Sequence, residues 1–208
     1  MALLMGYDVG SSSIKATLMD AATGKALASA TSPDRELEII AKHAGWAEQH
    51  PATWWEHVKL ATQRIKAAVA FDASDVKAIG ISYQMHGLVL VDKSKEVLRP
   101  SIIWCDSRAV QIGQKAAKDI GARKCLKRLL NLPGNFTASK LAWVKANEPK
   151  VYAKIDKMML PGDFVAMKMT GQIRTTPSGL SEGIMWDFEK DRLADFVLDN
   201  YGISSDLI

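Results

Sequence analysis

The sequence predicts a mixed α/β domain. Three observations carry that expectation: short apolar runs divided by turn residues at the N-terminus, an amphipathic helical period after them, and then brief apolar runs alternating with helical segments. Residues 3–7, Ile14 to Met19 and Ala26 to Thr31 are the opening runs. Gly10-Ser11-Ser12-Ser13 and Ala22-Thr23-Gly24 separate them, so they read as three consecutive antiparallel strands.

Gly45-Trp46-Ala47-Glu48-Gln49 follows, and Pro51 opens a helix from about Thr53 to Ala70. Trp54, Val58, Ala61 and Ile65 recur there at helical spacing, and proline is accepted in a first turn. Val76 to Ser82 reads as a buried strand and Leu88 to Val91 as another, on either side of Gln84-Met85-His86-Gly87. The turn Asp92-Lys93-Ser94-Lys95 leads to Arg99-Pro100-Ser101-Ile102-Ile103-Trp104. Helices are expected from Ala109 to Ile120, Ala122 to Leu130, Ser139 to Asn147 and Phe164 to Met169, with a short strand at Lys157 to Leu160. There is no internal repeat and no low-complexity linker.

Hairpins followed by strand–helix alternation give a mixed sheet with helical cover, not an all-parallel doubly wound one. A dinucleotide fold opens with strand, Gly-rich turn and helix; here the Gly-Ser turn leads into a second strand, which excludes that reading and the P-loop.

The 208 residues are 48% hydrophobic, enough for one domain with a real core or one lobe of a larger enzyme. Charged residues make up 24% with both signs interspersed, so a net charge of +4 describes an ordinary surface and not a nucleic-acid footprint. The densest cationic stretch, Arg123-Lys124 with Lys127-Arg128, lies among Leu126, Leu129 and Leu130 and reads as a solvated helix face. Cys105 and Cys125 have no metal-ligand spacing, which argues against a disulfide scaffold or zinc site and for a reducing cytoplasm. The N-terminus has no basic region and reaches Asp8 early, unlike a signal peptide, and no apolar run approaches membrane-spanning length.

Three segments carry chemical possibilities. Asp8-Val9-Gly10-Ser11-Ser12-Ser13-Ile14-Lys15 places a carboxylate at a strand end, followed by small residues whose N–H groups can converge on an anion. Beside phosphates, Asp8 would organise Mg²⁺ through its waters while the hydroxyls and Lys15 offset phosphoryl charge; the alternative is an ordinary hairpin with a surface aspartate. Gln84-Met85-His86-Gly87 emerges at a strand end, where pockets form, and His86 is either a ligand for a sugar hydroxyl or a histidine satisfied by backbone. In Trp104-Cys105-Asp106-Ser107-Arg108, Asp106 either faces a substrate or pairs with Arg108 and caps the next helix.

Taken in order, six blocks resemble the FGGY carbohydrate kinases, and within that family the xylulose kinases. They are Tyr7-Asp8-Val9-Gly10-Ser11-Ser12; Gly45-Trp46-Ala47-Glu48-Gln49-His50-Pro51 with Trp54-Trp55; Gln84-Met85-His86-Gly87; Val97-Leu98-Arg99-Pro100-Ser101-Ile102-Ile103-Trp104; Phe136-Thr137-Ala138-Ser139-Lys140-Leu141-Ala142-Trp143-Val144; and Leu160-Pro161-Gly162-Asp163-Phe164. The Gln-Met-His-Gly block is the one that points to xylulose.

The resemblance implies a ribonuclease-H-like (actin-like) fold in which two lobes close on Mg-ATP and sugar, with residues 1–208 as the N-terminal, sugar-binding lobe of a cut-off chain. Asp8 would orient Mg²⁺ and phosphate, and Gly10, Ser11, Ser12, Ser13 and Lys15 would form the phosphate cradle. Gln84, Met85, His86, Asn135 and Asp106 would line the site for D-xylulose. A cytoplasmic enzyme with room for a homodimer, and with no nucleic-acid or membrane partner, is implied as well.

Two departures stand out. Thr175-Thr176-Pro177-Ser178 replaces an Asp-x-Ser element frequent in relatives, and the family's catalytic base, an Asp in a Gly-rich segment, has no counterpart here. Asp163 is read as a cap for a helix starting at Phe164 and not as that base. The lobe alone is therefore expected to be inactive. A kinase for ribulose or gluconate, a non-catalytic sugar-binding lobe and an actin- or chaperone-like ATPase are the rivals; Gln84 to Gly87 and the tryptophan blocks speak against the last.

Overall fold

A computed structural model describes residues 2–208. In chain order the strands and helices are β1 (Leu3–Val9), β2 (Ile14–Asp20), β3 (Ala26–Ser32), β4 (Glu48–Gln49), α1 (Pro51–Ala68), β5 (Val76–Tyr83), β6 (Val89–Val91), β7 (Ser101–Ile102), α2 (Val110–Ile120), α3 (Ala122–Arg128) and α4 (Thr137–Asn147). They continue with α5 (Pro149–Tyr152), β8 (Lys157–Met159), α6 (Pro161–Thr170), α7 (Pro177–Glu182), β9 (Trp186–Asp187), β10 (Arg192–Leu193) and α8 (Asp195–Tyr201).

The main sheet runs β3-β2-β1-β5, with β1 to β3 antiparallel and β5 parallel to β1. This is the expected hairpin-first mixed sheet. Period-two alternation sets its faces: Leu3, Met5, Tyr7 and Val9 of β1 and Ile14, Ala16 and Leu18 of β2 are buried, whereas Gly6, Asp8 and Lys15 point the other way and are exposed. Helix α1 covers the apolar face with Trp54, Val58, Ala61 and Ile65. Helix α6 joins it through Phe164, whose ring meets Trp54 edge-on at 6.5 Å. The Tyr7 hydroxyl and Thr62 Oγ1 share a 2.7 Å hydrogen bond between sheet and helix.

A second core lies under the remaining helices, around Leu88, Leu90, Ile102, Leu141, Val144, Met158, Leu180 and Val197. Two short antiparallel pairings stand beside the main sheet: β4 with β7, and β6 with β8, the latter linking the two halves of the chain.

Two expectations need correction. Val76 to Ser82 forms a strand, but it is an exposed edge: among the described residues nothing pairs with its outer side, and Ile79 is 51% exposed. A largely apolar cavity of about 490 Å³ opens beside it, lined by Leu4, Gly6, Thr17, Met19, Ala78 and Ile79 among others. The basic stretch is largely the solvated face expected, with Arg123, Lys124 and Lys127 exposed and Arg128 half-buried. Lys127 and Arg128 bond Glu189 and Asp187, and Arg128 lies 4.5 Å over the Phe196 ring, so these side chains tie α3 to the C-terminal segment. The second correction concerns α6, which begins at Pro161 and not Phe164; Asp163 sits inside its first turn and accepts the Leu160 N–H at 3.2 Å.

Candidate functional site

The segments singled out by sequence converge at the C-terminal ends of β1 and β5, the place where parallel neighbours open a crevice. The Gln84 N–H donates to the Val9 carbonyl at 2.9 Å, joining the Gln84 turn to the Asp8–Lys15 hairpin. Gln49 fastens both from below. Its Nε2 donates to the Ser11 carbonyl at 2.7 Å, and its Oε1 accepts from Trp54 Nε1 at 3.0 Å and Gln84 Nε2 at 3.4 Å. Trp104 Nε1 donates to Ser11 Oγ at 3.1 Å, which brings the Trp104 segment onto the hairpin tip.

In the hairpin, Asp8 and Lys15 are cross-strand partners 3.8 Å apart, and both side chains are more than half exposed. Such a pair is weak, so the Asp8 oxygens stay open to water. The Gly10 N–H is already taken by the Ser13 carbonyl at 3.1 Å, so Gly10 is not free to join an anion cradle through its amide. Its role is steric: a Cβ there would meet that same oxygen at 2.9 Å. The Ser12 carbonyl accepts the Leu37 N–H at 2.8 Å, and Ser12 itself is exposed while Ser11 and Ser13 are half-buried. Because Ser11 Oγ accepts from Trp104, its own proton is left to donate outward.

The Gln84 turn is braced from three sides. Met85 is 54% exposed, whereas Gln84 is buried with Oε1 lacking a protein partner. His86 adopts a left-handed backbone at φ +60°, a costly conformation for a non-glycine residue. Its N–H donates to Glu182 Oε1 at 2.6 Å, its carbonyl accepts from Lys140 Nζ at 2.6 Å, and its ring packs edge-on against Phe136 at 4.3 Å. Gly87 is required for closeness, since a Cβ would fall 2.4 Å from Pro161 Cγ.

The electrostatics of this turn follow from burial. Lys140 is fully buried and its ammonium is pushed down to about 8; Nζ also donates to the Ile103 carbonyl at 3.0 Å. Burial and the Lys140 charge hold His86 below the usual imidazole range, and burial raises Glu182 and Asp163 above the usual carboxylate range.

Asp106 and Asn135 also reach this region, with different orientations. Asp106 is fully buried, and its two oxygens accept from the Ala47 N–H at 2.6 Å, the Arg108 N–H at 2.9 Å and the Arg108 guanidinium at 2.7–3.0 Å. Arg108 in turn stacks 3.7 Å over Trp46 and pairs with Glu48 at 2.8 Å. The carboxylate is thus occupied by the protein, the pairing alternative set out for it above. Asn135 Nδ2 donates to the Asp106 carbonyl, and its Oδ1 is buried without a protein partner next to Phe136.

Lys140 and Glu182 were given no role from sequence. A lysine in a helix ordinarily faces water, so nothing local marks Lys140 as buried, and Glu182 lies 96 residues from His86, where only the folded chain brings them together.

The model of the FGGY family of carbohydrate kinases, N-terminal domain, matches residues 3–208. The xylulose kinase of Klebsiella pneumoniae is 39% identical over 88% of this chain and 36% of its own length. That of Escherichia coli (strain K12) is 36% identical over 98% of the chain and 41% of its own length. A solved structure described as a xyloylose kinase from Brucella ovis superposes with a TM-score of 0.90 at 31% identity, covering 99% of this chain and 42% of that one. The chain therefore spans about two fifths of the length of these relatives.

Proposed function

This chain belongs to the FGGY family of carbohydrate kinases, as its N-terminal domain over residues 3–208, and from that premise we propose that the intact enzyme phosphorylates a ketopentose, D-xylulose to D-xylulose 5-phosphate, with ATP. The fold is the actin-like one shared by that family, built here on the β3-β2-β1-β5 sheet. The observation that carries the reading is the meeting of the Gln84–Gly87 turn with the Asp8–Lys15 hairpin through Gln84 and Val9, which sets a polar turn beside an open carboxylate.

In the proposed step a terminal sugar hydroxyl oxygen bonds to the γ-phosphorus, the bond to the bridging oxygen breaks, and ADP leaves with its electrons. The hydroxyl proton passes to a carboxylate base which, by family resemblance, lies outside residues 1–208. Positioning and charge stabilisation fall to this lobe. His86 and Met85 would hold the ketose at the turn, with Asn135 Oδ1 and Gln84 Oε1 as further acceptors awaiting a donor.

Asp8 would hold Mg²⁺ through its waters, and the ion would supply charge neutralisation for the phosphates. Among the described residues no group of three or more His, Cys, Asp or Glu side chains forms a metal cage. A single open carboxylate such as Asp8 suits an ion that keeps most of its waters and its phosphate ligands, so the residues present fit it. Ser11 and Lys15 would face the phosphates beside it.

The test is ADP formation by the intact enzyme with Mg-ATP and a panel of D-xylulose, D-ribulose and gluconate. Turnover favouring D-xylulose supports the reading. Preference for another sugar moves the substrate, and no sugar-dependent turnover favours a non-catalytic sugar-binding lobe. Residues 1–208 alone are expected to give no sugar-dependent ADP release, and measurable release from that polypeptide counts against placing the base elsewhere.

A further inference from the structure

The His86 peptide is held at every polar atom. Its N–H is taken by the Glu182 carboxylate at 2.6 Å, its C=O by the Lys140 ammonium at 2.6 Å, and its ring Nδ1 sits 3.2 Å from the Glu182 main-chain carbonyl. A carbonyl oxygen only accepts, so Nδ1 carries a proton in this arrangement. We infer that Glu182 and Lys140 are positioning residues for the sugar site, clamping the left-handed His86 turn and holding its ring as the Nδ1–H tautomer, so that Nε2 is an acceptor for a substrate hydroxyl. The inference rests on the kinase reading for the identity of the ligand, but not for the clamp itself.

The physical argument is one of over-determination. A non-glycine residue at φ +60° persists only when its surroundings specify it, and here the bracing groups come from two separate helices, α4 and α7. The charged and titratable groups acting on His86 are Lys140 from α4 and Glu182 from α7; Tyr83 of β5 and Asp163 of α6 act in turn on Glu182. Burial opposes a charge on the ring most strongly and Lys140 adds to it, outweighing the Glu182 main-chain carbonyl that accepts from Nδ1 and the Glu182 carboxylate 3.9 Å from it. A neutral Nδ1–H imidazole is thereby favoured over imidazolium, which has no acceptor to offer a hydroxyl.

Two readouts test this in the intact enzyme. In the first, Glu182→Ala removes the acceptor for the His86 N–H and is expected to raise the D-xylulose KM by roughly tenfold or more, with the ATP KM little changed. Glu182→Gln, which keeps an amide oxygen for that N–H, is expected to recover most of the loss. In the second, kcat/KM for D-xylulose falls at acid pH with a midpoint below the ordinary histidine value, and Lys140→Met moves that midpoint upward because the opposing charge is gone. Nitrogen NMR of histidine-labelled enzyme, with the His86 signal identified by its absence in His86→Gln, gives a reading independent of turnover: a protonated Nδ1 and a bare Nε2. A bare Nδ1 overturns the clamp, as does an equal rise in both KM values for Glu182→Ala. A protonated Nδ1 whose titration shifts upward in Lys140→Met, in an enzyme without ketopentose kinase activity, supports the clamp and overturns the kinase reading.

Discussion

Lys140 is a full positive charge enclosed by protein, with Nζ on the carbonyls of His86 and Ile103. Its folded value near 8 lies below the ordinary 10.5, so between these the unfolded chain binds more protons. Folding stability contributed by this group is complete above 10.5 and is lost as pH falls toward 8, by about 3 kcal/mol. Urea midpoints of wild type and Lys140→Met at both pH values check it: wild type is expected to gain more between pH 8 and 10.5, and an equal gain counts against a depressed Lys140. Tyrosines and other lysines titrating in that window cancel in the difference. His86→Ala in the intact enzyme is expected to raise the sugar KM more than the ATP KM, checked by separate titrations of the two substrates; equal effects argue against a sugar-facing ring. At this scale the hairpin and the Gln84 turn were legible because each is one contiguous polar break between apolar runs. The engagement of Asp106 was not, since a carboxylate two residues from an arginine looks the same whether it faces that arginine or a cleft.

Helix α1 was the most readable element because its one apolar face packs against one sheet face. Trp54 anchors it, fully buried against Phe164 with its N–H on Gln49. Trp54→Ala is expected to cost about 3–5 kcal/mol and also to free Gln49 from beneath the Ser11 carbonyl. Chemical denaturation measures the loss, and a change under 1 kcal/mol would show that the face closes over the cavity. The misreading of β5 has a plain cause: an apolar run reports strand propensity, whereas its burial depends on a neighbour elsewhere in the chain. Helices α7 and α8, of six and seven residues, escaped notice because they are too short to hold themselves and depend on packing into the second core.

Across the whole lobe, the outer edge of β5 and the apolar cavity beside it form an open sheet margin, a known template for association. A polypeptide of residues 1–208 is expected to self-associate as its concentration rises, and Ile79→Lys, placing a charge on that edge, is expected to shift it toward monomer. Sedimentation velocity over a concentration series decides this, and a wild-type monomer throughout would overturn it. Periodicity and turn chemistry suffice to specify the hairpins, α1 and the two polar breaks, because each depends on residues close together along the chain, and the order of hairpins before strand–helix units was enough to point to a mixed sheet. The clamp on His86, the burial of Lys140 and Asp106, and the bare edge of β5 depend on segments as far as 96 residues apart. Long-range pairing leaves no local periodic trace, so these features emerge only when the chain packs in three dimensions.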